Sequence, residues 1–221
     1  MKNLTCLFII LLVVSPTLFY SQPNQNKKRI GFVFKIEGPY KIHRETFLNM
    51  TITGGNDSQK DEYYDAINFL KTDKVNPTEK LKQYYVNEMT WRGFDLVILN
   101  EDLVESNFPV LNPKKNKQFY LDMTSLKKKY NVDEVFIVQG KYGLEFEDLG
   151  DKRTNIFLNN FMVSSADNKI TKKFTIQEIQ NIKKKNLLNP PDYPNIVESM
   201  NKLLEEKILS EIIIELEELK K

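Results

Sequence analysis

Apolar residues recur along the chain in two spacings, and five segments have the apolar runs that are typical of strands. The first of them, Arg29 to Ile36, is apolar on both faces, as expected of a strand in the middle of a sheet. Turn-forming residues at 166–169 predict a tight hairpin between the last two segments. The five segments are 29–36, 94–99, 133–140 with its extension 141–147, 154–165 and 170–174.

Helical spacing, with apolar residues three or four positions apart, fills most of the chain between these strands. Pro77 suits a first helical turn, where its missing N–H is not needed. Gly93 suits the left-handed residue that ends a helix. The predicted helices are one that begins at Asp57 or Ser58, and those at 77–93, 119–130, 175–185 and 195–221.

The segment 37–58 has the weakest pattern in the chain after its first strand. Turn signals stand at both ends, at Gly38-Pro39 and at Gly54-Gly55. The apolar residues between them fit a short strand, but the segment also fits a long loop, and long loops in compact domains are often functional.

The order of elements is strand, helix, strand, helix, three strands and helix, which predicts an α/β (α+β) fold. We expect one domain, 29–221, with a single mixed sheet of about five strands covered by helices and a long C-terminal amphipathic helix. The first three strands are joined through helices and can be parallel. The last two connections are hairpins, so those strands are antiparallel.

The first residues follow the layout of a secretory signal peptide: one basic residue, an apolar middle and a polar end. Lys2 precedes an unbroken apolar run at 7–14, which is too short to span about 30 Å of hydrocarbon by itself. We predict a signal peptide at 1–21, followed by a flexible leader at 22–28. The alternative is a retained membrane anchor.

Cys6 precedes most of the apolar run, whereas a lipid-anchor cysteine follows it, so we expect no lipidation there. Only 4 of the 32 basic residues are arginine, a bias typical of AT-rich bacterial genomes, and Gln22 after the cut is typical of signal peptides from Bacteroidota. We therefore predict a bacterial protein that is secreted across the inner membrane and located in the periplasm or at the outer membrane.

Composition excludes several chemistries. The net charge of +2 argues against nucleic-acid binding, which needs a basic excess. One histidine (His43) and one cysteine rule out a multi-histidine or cysteine zinc site, and phosphate-binding glycine loops do not occur. We expect no cofactor, no metal and no catalytic site of these kinds. Basic runs at 127–129 and 183–185 fit solvated helix faces, or peripheral contact with anionic lipid.

Paired carboxylates leave one enzyme hypothesis open, namely a carboxylate-dependent hydrolase that acts on an envelope polymer. The pair that would test it is Glu145 with Glu147. The candidate carboxylates are Glu101, Asp102, Glu145, Glu147 and Asp148.

The final helix is the most suggestive feature, because its apolar residues spread over more than one face whereas a helix on a sheet needs only a stripe. We predict that Ile208, Ile212, Ile213 and Leu216 bind an envelope protein partner. Two alternatives stay open: the helix is buried in its own domain, or it covers a pocket for a small ligand or lipid.

The helix-to-strand join at 126–140, with Asp133 before an apolar strand, resembles bacterial envelope domains such as the amino-terminal domain of the TolB translocation protein and the curli-secretion lipoproteins. The join from Gly93 to Val97 is similar to their second strand. The resemblance implies a non-enzymatic part of an envelope assembly. The chain differs from that group in having no lipid-anchor cysteine after its signal and in its extra region at 37–58.

Overall fold

The computed structural model describes residues 28–44, 64–99, 118–147, 152–182 and 193–220, with no side-chain description at 41–44 and 146–147. The predicted signal peptide at 1–21, and the leader up to residue 27, lie outside these ranges. Several other predicted features also lie outside them: Asp57, Ser58, Glu101, Asp102, Asp148 and the basic run at 183–185.

Five strands form one mixed sheet in the order β2-β1-β3-β4-β5. Strand β1, second in this order, runs parallel to both of its neighbours, β2 and β3, and β3, β4 and β5 are successively antiparallel. The fold class, the single mixed sheet and the parallel and antiparallel halves are therefore as predicted. The strands are β1 (Arg29–Arg44), β2 (Asp95–Ile98), β3 (Glu134–Glu147), β4 (Lys152–Ser164) and β5 (Ile170–Asn181).

Helices connect and cover these strands, and their ends follow the local signals. Gly93 has a φ of 78° and Asn131 a φ of 53°, the left-handed conformation expected after a helix end. The helices are α1 (64–69), α2 (Thr78–Trp91), α3 (Thr124–Tyr130) and α4 (Pro194–Lys220), which contains a π-helical stretch at Leu203–Ile208.

The main core lies between one face of the sheet and helices α1, α2 and α4. Its centre is aromatic: the ring of Phe136 lies 6.2 Å from that of Phe32 and 5.8 Å from that of Tyr85. All three side chains are fully buried. Because large aromatic rings contribute much of the apolar area that folding removes from water, this contact ties α2 to the two central strands.

A second core lies on the opposite face, beneath the segment 118–132. Asn168 holds that segment in place, because its amide nitrogen donates to the carbonyls of Phe119 (3.0 Å) and Leu121 (2.9 Å), and its amide oxygen accepts from the N–H of Met123 (2.8 Å). Asn168 is buried, and its φ of 59° belongs to the tight turn before β5.

The predicted helix at 175–185 is wrong over 175–181, which belong to β5. Ile176, Ile179 and Ile182 are three residues apart and so mimic a helical stripe. In the strand, Ile176 is in the main core and Ile179 points to the opposite face, so both faces carry isoleucine and the spacing misleads.

Two further boundaries differ from the sequence expectation. Strand β1 continues to Arg44 through a register shift between Glu37 and Tyr40, so the start of the predicted 37–58 loop is strand. The helix predicted at 119–130 begins only at Thr124, since Gln118 bridges to Lys169 and residues 119–123 are not helical and contribute Phe119, Leu121 and Met123 to the second core.

Candidate functional site: the uncovered face of the sheet

The two faces of the sheet are covered unequally by the described residues. Helices α1, α2 and α4 pack along one face, whereas the segment 118–132 covers only one end of the other. Beyond that end, the outer face of β3, β4 and β5 forms a groove, which we call the open-face groove.

The open-face groove consists of two adjoining hollows with volumes of about 280 Å³ and 270 Å³. Lys141 and Phe157 line both of them and therefore mark the junction. The first hollow is lined by Lys141, Glu145, Asn155, Ile156, Phe157, Gln177 and Ile179. The second is lined by Lys35, Glu37, Tyr120, Gln139, Gly140, Lys141, Phe157 and Asn159.

Strand alternation explains why these side chains meet. Residues two apart in a strand share a face, so Asn155, Phe157 and Asn159 point away from the buried residues between them. The register then places Phe157 between Lys141 of β3 and Gln177 of β5. The groove thus lies on the face of the sheet opposite the main core and combines polar side chains with apolar ones, and the Phe157 ring lies between its two hollows.

Hydrogen bonds orient several of the polar groups in the groove. The Gln139 amide nitrogen donates to the Tyr120 hydroxyl at 3.3 Å. The Thr175 hydroxyl donates to the amide oxygen of Asn159 at 3.1 Å, so the Asn159 amide nitrogen is directed away from that bond. The Lys141 ammonium lies 5.9 Å from the centre of the Phe157 ring, at the outer limit of a cation–π contact.

Two ion pairs neutralise most of the charge around the groove. Lys35 lies 3.5 Å from Glu37. The Tyr40 hydroxyl donates to Glu37 at 2.7 Å; this bond lowers the pKa of Glu37, and the charge of Lys35 lowers it further. Arg153 lies 4.0 Å from Glu145. Among the described residues, no carboxylate lies within ion-pair distance of Lys141.

The structure places Glu145, one member of the predicted carboxylate pair, at this groove. Glu145 lines the first hollow and is only 2% exposed. Glu147 is two residues further along β3, so its Cα is about 7 Å away. Glu37, which lines the second hollow, pairs with Lys141 in the register, so its Cα is about 13 Å or more from that of Glu145.

The structure also places the four residues predicted to bind a partner. Ile208, Ile212 and Leu216 are fully buried in the main core. Their burial corresponds to the alternative stated above, in which the wide apolar surface of α4 packs within the chain's own domain. Ile213 is half-buried, and its neighbour Ile214 is 52% exposed. Burial in the chain's own core does not test partner binding, which stays a prediction for the exposed part of α4.

The main core contains a polar cluster that the sequence did not reveal. Glu215, a charged residue of α4, is 3% exposed. Its Oε2 accepts hydrogen bonds from the Tyr85 hydroxyl (3.1 Å) and from the Asn160 amide nitrogen (2.8 Å), which also donates to Tyr85 (2.7 Å). The signal available in the sequence was its spacing, since Glu215 lies three residues after Ile212 on the buried side of the helix.

Burial dominates the electrostatics of this cluster. It raises the pKa of Glu215 to about 7, because an ionised carboxylate is costly in an apolar core, and the charge of Glu218 raises it further. The hydrogen bonds from Asn160 and Tyr85 act in the opposite direction and are the weaker influence. Burial also raises the pKa of Tyr85 well above its usual value, so Tyr85 stays a hydroxyl donor.

The described ranges contain no group of three or more acidic, histidine or cysteine side chains that could hold a metal ion. None of the helices within those ranges is both long and apolar enough to cross a membrane. These findings concern the described part of the chain alone.

Comparison with known proteins gives only distant structural likeness. No family model matches the sequence, and no curated protein matches it significantly. Among solved structures, a lipoprotein from Neisseria meningitidis is 12% identical with a TM-score of 0.37, and the match covers 81% of this chain and 99% of that one. A protein from Xanthomonas campestris is 10% identical with a TM-score of 0.41, and 86% of each chain is covered.

A minor lipoprotein from Acinetobacter baumannii is 10% identical with a TM-score of 0.33, and the match covers 86% of this chain and 95% of that one. Bacterial lipoproteins therefore recur among the structures to which this chain is similar. At these identities and TM-scores, no function is transferred from them.

Proposed function

We propose that the protein is an exported component of a bacterial cell envelope that acts by binding, and that the open-face groove is its binding surface. The observation that carries the proposal is the unequal coverage of the sheet by the described residues. Described helices pack along one face, whereas the other face carries two adjoining hollows that are lined by polar and apolar side chains, with the Phe157 ring between them. Convergent polar groups around an apolar surface are the usual composition of a binding site.

The export part of the proposal rests on the amino-terminal pattern at 1–21. It is tested by fractionating producing cells and measuring the mass of the protein in the envelope fraction. We expect a chain that begins near Gln22. A full-length chain found only in the cytoplasm would contradict export.

The binding part is tested by sedimenting the purified protein with washed envelope fragments from the producing cells. Gln177→Trp would obstruct the groove, and Gln83→Trp is its matched control, because both glutamines are exposed and Gln83 is on α2 over the opposite face. We expect saturable binding that Q177W weakens at least about tenfold and Q83W leaves unchanged. Equal loss in both variants, or no binding of the parent protein, would contradict the proposal.

A second candidate function is the carboxylate-dependent hydrolase, which is favoured by the position of Glu145 at the groove. Its test is the double variant E145Q/E147Q, incubated with envelope polymer and assayed for released fragments. Release by the parent protein that the double variant abolishes would establish catalysis. Release by neither protein would exclude this hydrolase.

The alternative of a small-ligand or lipid pocket beneath α4 finds little space among the described residues. The side chains between α4 and the sheet form a closely packed core that is apolar apart from the cluster of Tyr85, Asn160 and Glu215 and the contact of Thr154 with Ser199. A hollow beside the start of α4, lined in part by Asn195 and Ser199, has a volume of about 30 Å³, enough for about one water molecule.

A further inference from the structure

The shape of the open-face groove indicates an elongated occupant, on the assumption that the groove is the binding surface proposed above. Each hollow is slightly smaller than the roughly 300–1,000 Å³ of typical small-molecule pockets. The two hollows adjoin at Lys141, and the groove follows β3 from Gln139 to Glu145, a length of about 20 Å. Two hollows of nearly equal size in a row suit two consecutive units of a chain-like ligand.

The lining of the groove indicates a ligand that is rich in hydroxyl groups. Four amide side chains line or border the two hollows: Gln139, Asn155, Asn159 and Gln177. Each amide side chain can donate and accept hydrogen bonds, and so can a hydroxyl group. An amide can therefore bind a hydroxyl group whichever way the hydroxyl proton points. Phe157, half-buried between the hollows, adds an apolar surface for the C–H groups of a ring.

The charge at the junction indicates that this ligand is acidic. Glu37 is paired with Lys35, and Glu145 lies near Arg153. Lys141 is exposed and lines both hollows. None of the carboxylates in the described ranges lies within 4 Å of its ammonium group. A negative group near the link between two ligand units would lie within its reach.

Other ligand classes fit these features less well. A lipid chain would leave the amide groups of Asn155 and Gln177 without partners in an apolar contact. A peptide added as a strand would pair with an edge of the sheet, whereas the groove runs over its face. Nucleic acid needs several cations to neutralise its phosphates, and the groove offers one cation that is not already paired.

We propose that the open-face groove binds a segment of an acidic oligosaccharide. Lys141 pairs with a carboxylate of the sugar chain, Phe157 packs against the C–H face of one ring, and the amide side chains bind the hydroxyl groups.

Isothermal titration calorimetry on the protein purified from the envelope fraction tests this assignment. The acidic probes are the trisaccharides of galacturonic acid and of sialic acid. Maltotriose is the neutral sugar control, and triglutamate is the control for charge without sugar. We expect at least one acidic trisaccharide to bind at least about tenfold more tightly than either control, as expected for one additional favourable contact of about 1.4 kcal/mol.

Variants locate the site. Lys141→Ala should weaken the acidic trisaccharide at least about tenfold and bring its affinity near that of maltotriose, since it removes the cation but keeps the amides. Lys128→Ala, at an exposed lysine of α3 outside the groove, is the matched control and should bind like the parent protein. Asn159→Ala should weaken acidic and neutral sugars alike, and circular dichroism should show that all three variants are folded.

Three results would overturn the assignment: neither acidic trisaccharide binds at millimolar concentration, triglutamate binds as tightly as the sugars, or K141A binds like K128A. If the sugars fail while envelope fragments still bind in a manner that Q177W abolishes, the ligand class is wrong and the binding function stands. If both fail, the proposed function fails with the inference.

Discussion

The buried carboxylate of Glu215 predicts an unusual dependence of stability on pH. In the folded protein its pKa is about 7, compared with 4.5 for an ordinary glutamate. Between these two values the folded chain keeps a proton that the unfolded chain has released. The free energy of unfolding should therefore fall as the pH rises, because stability decreases wherever the folded state binds more protons.

The magnitude follows from the difference in pKa. One pKa unit corresponds to about 1.4 kcal/mol, so Glu215 should remove about 3 kcal/mol of stability between pH 4.5 and pH 8. Its contribution is fully present below pH 4.5 and is lost as the pH rises through 7. Asp167, whose pKa of about 2 reflects hydrogen bonds from Lys169 and Ser164, titrates below this window and does not interfere.

The assay is urea unfolding of the parent protein and of E215Q at half-unit steps from pH 4.5 to 8. Glutamine has the shape of the protonated acid but does not titrate, so the difference between the two proteins isolates Glu215. We expect the parent protein to lose about 3 kcal/mol relative to E215Q across the range. A difference that is constant with pH would refute the reasoning that burial controls this carboxylate.

Three further predictions concern packing in the main core and in the sheet, and all are measured by urea unfolding at pH 7. Tyr85→Phe should cost about 1 to 3 kcal/mol, because it removes a buried hydroxyl that donates to Glu215, and a neutral result would show that the bond does not matter. Ile212→Ala should cost about 2 to 5 kcal/mol, whereas Ile214→Ala, at an exposed position of the same helix, should change stability by less than about 0.5 kcal/mol; equal effects would contradict the orientation of α4. Gly143→Ala should cost about 2 to 4 kcal/mol, since an added Cβ would lie 1.9 Å from the Tyr40 carbonyl oxygen, and a stable G143A would contradict the pairing of β1 with β3.

The sequence allowed the fold to be predicted where its signals were local. Gly93 and Asn131 mark helix ends by the conformation that each adopts, and the continuous apolar run of β1 marks a central strand. The prediction from sequence was wrong at β5, where Ile176 is buried in the main core and Ile179 lines the groove. A strand with apolar residues on both faces has no period of two, so a helical period fits it by chance.

The candidate site was harder to predict because its residues are distant in sequence. Asn155, Phe157 and Asn159 alternate with residues that face the main core, so their common face is visible in the sequence. Nothing in the sequence shows that none of the described helices covers that face. The buried cluster depends on Asn160, which lies 55 residues before Glu215 in the sequence. Only the packing of α4 against β4 brings these two residues together. Sequence therefore indicated the carboxylate Glu145 but not the surface to which it belongs.

The most direct test of the account is photo-crosslinking in living producing cells. A benzophenone amino acid is placed at Gln177 in the open-face groove or, as the matched control, at Gln83 on the helix-covered side, both of which are exposed. The account predicts abundant adducts from position 177 that carry envelope material and none above background from position 83. Adducts from position 83 alone, or equal amounts from both positions, would contradict the claim that the open-face groove is the binding surface.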